Sequence, residues 1–217
     1  MVATAAWEAH WPEGGASWSL FPMDLQRIYI KILTDAPPTL NLEPFLVIFA
    51  RWRAEKNHPA GWPTEWVDVA DYAHVSRGAG ILLAGFNTNF SFDMADPAPG
   101  ILYAARKGLS GTHAERIALA LRSAVEMSRR LTAEPEFPKN VHVRMGEMEV
   151  SFPDRLECPN NSATDRELRP PLQQILDRVL GSGRYDLVRN GDPAQAYGFS
   201  VRAKSKEPLE AMLQRLA

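Results

Sequence analysis

The run AGILLAGFNTNFSFDMADPAPGILYAAR, residues 79–106, decides the fold class. Three apolar segments, 79–85, 89–94 and 100–106, are separated by Asn87-Thr88-Asn89 and by Asp96-Pro97-Ala98-Pro99-Gly100. Asparagine, aspartate, proline and glycine each favour a turn for a different backbone reason, so both separators are reversals of the chain. In the middle segment Phe90, Phe92 and Met94 alternate with Asn89, Ser91 and Asp93. That period of two belongs to a strand with unlike faces. Three short strands joined by tight turns predict an antiparallel meander. Gly78, Gly80 and Gly85 precede and end a strand. A dinucleotide-binding glycine loop must instead follow a strand and open a helix, so that reading is rejected.

Toward the N-terminus, Ile28, Ile30 and Ile32 alternate with Arg27, Tyr29 and Lys31, which predicts a strand over 27–34. Asn41 then caps a helix with Glu43 and Pro44 in its first turn, and Phe45, Ile48, Phe49 and Trp52 form its aromatic stripe. Residues 57–66 read as a loop holding Trp62 and Trp66. Residues 1–22 follow neither period, contain Trp7, Trp11 and Trp18, and lack lysine and arginine. They are expected to form an aromatic tail ahead of a single domain over 23–217, either loose or docked on a groove of this chain or a partner.

Toward the C-terminus, Thr112 and Glu115 form a capping box ahead of a helix reaching about residue 133. A hairpin is expected over 141–152 with Gly146 at its turn. A helix is expected from Pro170 to about Leu180, because Pro170-Pro171 interrupt the earlier start at Thr164. A second hairpin, 185–189 with 197–203, turns through Asn190-Gly191-Asp192-Pro193, and a last helix is expected to be capped by Ser205 with Glu207 and Pro208 in its first turn. Hairpins dominate this order. The fold class is therefore α+β, a mixed or mainly antiparallel sheet with helices packed on one face. The stretch 100–203 reads close to a ferredoxin-like split β-α-β arrangement with one further strand.

The 217 residues carry 24 Lys+Arg against 26 Asp+Glu, a balance that argues against nucleic-acid binding. One cysteine, Cys158, excludes an intramolecular disulfide and fits a reducing compartment. No apolar run is long enough to span a bilayer and no secretory signal is visible, so a soluble, cytoplasmic protein is expected.

No Walker loop, Gly-x-Ser-x-Gly elbow or His-Glu-x-x-His motif is present. The histidines show no ligand spacing, so neither a metal nor another cofactor is expected. Cys158, in a loop, has no adjacent base to make it a nucleophile. A polar column of Asn87, Asn89, Ser91 and Asp93, with His74 and Arg77 nearby, has the residue types of a small-ligand site or small enzyme. The plainer use of such alternation is a solvated strand face. Glu147 and Glu149, two apart, point one way on a strand and can bind a cation, although acids at a hairpin tip more often serve solubility. Tryptophans outside periodic elements suit binding hot spots. The leading expectation is thus a non-catalytic binding or accessory protein that contacts a protein partner or a second copy through Trp7, Trp11, Trp18, Trp62 and Trp66. The ligand-binding reading is its rival.

Overall fold

In a computed structural model, which describes residues 23–55 and 65–217, the strand at the centre is the isoleucine-rich one. β1 (Ile28–Thr34) lies between β5 (Gly100–Ala105) and β6 (Val143–Phe152), antiparallel to both. Outward from β5 run β4 (Thr88–Asp93), β3 (Gly80–Gly85) and β2 (Trp66–Tyr72); outward from β6 run β8 (Tyr197–Ala203) and β7 (Tyr185–Arg189). The described residues thus form one eight-stranded sheet of order β2-β3-β4-β5-β1-β6-β8-β7, every neighbouring pair antiparallel.

Four helices cover one face: α1 (Glu43–Ala54), α2 (His113–Thr132), α3 (Ser162–Leu180) and α4 (Leu209–Leu216). The stripe of α1 lays Phe45 over Phe92 with ring centroids 4.0 Å apart and Phe49 over Phe90 at 5.6 Å. The capping box of α2 forms as the sequence predicts, with Thr112 Oγ1 accepting from the Glu115 amide. Because β5 and β6 both oppose β1, they run parallel to each other, and α2 crosses between them. Likewise α3 crosses between β6 and β7, with β8 inserted. Two split β-α-β units sharing β6 are what the ferredoxin-like reading resolves into.

Several local expectations change. The N-cap of α1 is Leu42, with Asn41 one residue ahead accepting from the Glu43 amide, and that of α4 is Pro208, with the Ser205 hydroxyl donating to the Glu207 carboxylate instead of capping the helix. The hairpin expected over 141–152 is a single strand, β6. Gly146, at φ 82°, sits where the register slips between Ile32↔Met148 and Thr34↔Val143, so it makes a bulge. A Cβ there would lie 2.6 Å from that of Ala203, which leaves no room for another residue. β2 was hidden for a similar reason. It slips one residue against β3 between Trp66 and Asp68, which destroys its period of two. α3 begins at Ser162, its amides capped by Asn161 Oδ1, and runs through Pro170-Pro171. Thr164, Leu168, Leu172, Leu176 and Val179 continue one buried stripe across the prolines. Arg166 and Glu167, whose carbonyls lose their helical donors, are exposed residues, so burial of the stripe outweighs two lost bonds.

Candidate binding groove

The opposite sheet face carries no described helix. Register places Leu82, Ser91, Leu102, Lys31, Glu149, Ser200 and Val188 in one row across seven strands of it. The row changes character at β1. On the β4 side it is closed, and on the β8 side it opens into a groove.

The closed side is organised by Lys31. A lysine midway along a strand normally reaches water, but a central strand has neighbours on both edges and the loop 94–99 above it. The ammonium lies 2.5 Å from Asp93 Oδ2 and donates to the Ala95 carbonyl at 2.6 Å. Both side chains of the pair are under 10% exposed. The lysine stem passes over Gly100, where a Cβ would meet Lys31 Cγ at 2.9 Å and the Ile32 carbonyl at 2.6 Å. Gly100 is therefore the gap through which β1 reaches β4. Bonded to the Ala95 carbonyl, Lys31 also pins the loop to the sheet.

Past that loop, two adjoining clefts of about 680 Å³ and about 580 Å³ share Pro97, Glu149, Val188 and Ser200 as lining. They form one groove over β1, β6, β8 and β7, with the 94–99 loop as a wall and residues 190–196 at one end. Gly198 keeps the floor low beside Ser151, since a Cβ there would lie 3.1 Å from that of Ser151. Val188 stands 63% exposed within the groove.

Two glutamates point into this groove from β6, and their surroundings differ. Glu147 is engaged by Arg144 at 2.5 Å and by Arg202 at 3.5 Å. Glu149 accepts a 2.9 Å hydrogen bond from the Ser200 hydroxyl and makes no ion pair among the described residues. Burial pushes the Glu149 carboxyl above the ordinary carboxylate value, a shift that the Ser200 hydrogen bond and the Lys31 charge reduce without cancelling.

The sequence-predicted residues divide accordingly. Asn89, Ser91 and Asp93 share the helix-free face, as their alternation requires, but Ser91 and Asp93 are buried, which departs from a solvated strand face. Asn89 Oδ1 accepts from the Gly85 amide at 3.4 Å, and Asn87 closes the β4–β5 end by accepting from the Arg106 amide through its carbonyl. Arg77, at φ 53°, ion-pairs with Asp96 at 3.2 Å beside a separate cleft of about 450 Å³. His74 is exposed, its ring 6.5 Å from that of Tyr72. No group of three His, Cys, Asp or Glu residues capable of holding a metal ion occurs among the described residues.

Trp66 is a core residue, 7% exposed, turned toward the helices by the bulge in β2. Trp7, Trp11, Trp18 and Trp62 lie outside the described residues. Cys158 is buried, its thiol pushed up to about 12 by desolvation and then by the charges of Asp154, Glu157 and Glu167. That suits a core side chain, not a nucleophile. Sequence reading missed Lys31 and Ser200 as members of this face. The lone lysine in Ile-Tyr-Ile-Lys-Ile was the available signal, visible only to a reader who knew the strand to be central.

No protein-family model and no curated protein matches the sequence. No helix among the described residues is long and apolar enough to cross a membrane.

Proposed function

We propose that this chain is a non-catalytic binding protein that takes a protein partner in the groove over β1, β6, β8 and β7. The observation that carries this reading is the contrast between the two sheet faces. One is sealed by four helices, while the other keeps a continuous groove with Val188 63% exposed and a half-buried acid at its centre. Its lining mixes apolar surface from Leu33, Pro97 and Val188 with arginines and glutamates, a composition that suits a protein surface. The small-ligand reading built on the polar column has less support, because the Asp93 carboxylate is already engaged by Lys31.

The test is Val188→Arg, which fills the groove from an exposed position and leaves the core untouched. Cross-linking in extracts of the native source is expected to join a partner to β6–β8–β7 in the unaltered protein. The variant should weaken that complex at least about tenfold with an unchanged melting temperature. Cross-links confined to the helical face, or a complex indifferent to Val188→Arg, overturn the proposal. Analytical ultracentrifugation of both forms identifies the case in which the partner is a second copy.

A further inference from the structure

The charges of the groove can be followed pair by pair. Arg144 and Arg202 are held by Glu147. Lys31 stands directly opposite Glu149 in the β1–β6 register, yet its ammonium is turned to Asp93 and the Ala95 carbonyl. Arg189 binds Asn160 Oδ1 at 2.8 Å and lies over the Tyr197 ring on the helical side. Lys204 lies 4.0 Å from Asp186 and donates to the Gly183 carbonyl. Every cation around the groove among the described residues is therefore committed elsewhere, and Glu149 is left there with one hydroxyl. A carboxylate drawn partly out of water with a single neutral donor is under-compensated. It sits where the two clefts meet, so a group entering either one reaches it.

We infer that the partner presents a basic side chain to this groove, its guanidinium or ammonium group seated on the carboxylate of Glu149. The inference rests on the groove being the binding surface, and it adds the chemistry that the groove selects. Charge complementarity argues for this occupant: the site offers an acid with no ion pair among the described residues, with Leu33, Pro97 and Val188 beside it to receive an aliphatic stem. Residues 1–22 contain no lysine or arginine, so they do not supply that side chain. Glu149 acts here by binding charge and takes part in no covalent step.

Capped pentapeptides Ala-Val-Arg-Val-Ala and Ala-Val-citrulline-Val-Ala serve as probes, since citrulline keeps the shape of arginine and removes its charge. Each is titrated into the isotope-labelled full chain while backbone amide resonances are followed. The arginine peptide is expected to shift amides of β6, β8 and β7, and the citrulline peptide to bind at least about tenfold more weakly. Glu149→Gln should abolish that difference, while Glu210→Gln, at an exposed position of α4, should retain it. The amide spectrum of each variant reports folding directly. Equal binding of the two peptides, or preference retained in Glu149→Gln, overturns the cation site and leaves the groove reading intact. If neither peptide shifts groove amides at millimolar concentration, the inference also fails, and Val188→Arg then judges the groove by itself.

Discussion

Asp93 and Glu149 are both acids on the helix-free face, each within two strands of Lys31, and the protein treats them in opposite ways. Asp93 is covered, ion-paired at 2.5 Å and locked beneath a loop that the same lysine holds down. Glu149 is half-buried, bonded to one hydroxyl and open to a groove. The difference shows that one lysine divides the face: by reaching over Gly100 toward β4 it satisfies one acid and leaves the other available. Burying an ion pair is costly and seldom the most stable solution, so the Lys31–Asp93 pair is best understood as a device for shape. It fixes the loop that walls the groove.

Breaking the closed side should have the largest effect. Lys31→Met leaves a buried, unpaired Asp93, and guanidinium denaturation should show a loss of about 3–5 kcal/mol. The double variant Lys31→Met/Asp93→Leu should recover most of that stability while releasing the loop. Its amide exchange over 94–99 should then rise even though the sheet remains protected. Equal losses in the single and double variants would refute the pairing.

Gly100→Ala tests the passage of the lysine stem and should cost about 1–3 kcal/mol, read as a lower denaturation midpoint. Gly191→Ala, where a Cβ meets nothing within 4 Å, is the matched control. It should change stability by under about 0.5 kcal/mol.

The open side should respond in the other direction. The folded pKa of Glu149 lies above its unfolded value, so the native state holds its proton at pH values where the unfolded chain has released it. Stability therefore falls as pH rises from the unfolded pKa through the folded one, then stays level. Glu149→Gln removes that penalty. Its melting temperature at pH 7 should be higher by about 2 °C, with the gain vanishing in acid below the unfolded pKa. A gain in stability joined to a loss of arginine-peptide binding would mark a residue retained for binding at the expense of stability.

Ser200→Ala should be nearly silent in stability, within about 0.5 kcal/mol. It removes a hydrogen bond that favours the charged carboxylate, so the Glu149 titration midpoint, followed by carboxyl carbon resonances, should move up. A midpoint that moves down would show that the hydroxyl does not support the anion.

Much of the architecture was legible locally. The meander of β3, β4 and β5, the isoleucine strand, the aromatic stripe of α1 and the capping box of α2 follow from spacing over a few residues. The misread β6, β2 and α3 share one cause. At Gly146, in β2 and at Pro170-Pro171 a local rule was overridden by distant packing: register against β1, register against β3, and a buried stripe spanning the prolines. Of the groove, the sequence showed that Glu147 and Glu149 point one way, and that Asn89, Ser91 and Asp93 share a face.

Periodicity by itself therefore determined the class of fold and the grouping of side chains on each strand, because a backbone repeat acts within single elements. Only the tertiary structure decided that β1 is central, that Lys31 turns to Asp93 across Gly100, and that Arg144 and Arg202 converge on Glu147 while no cation among the described residues reaches Glu149. Those outcomes depend on which strands become neighbours, and charges 62 residues apart, such as Lys31 and Asp93, meet only once the sheet has chosen its order.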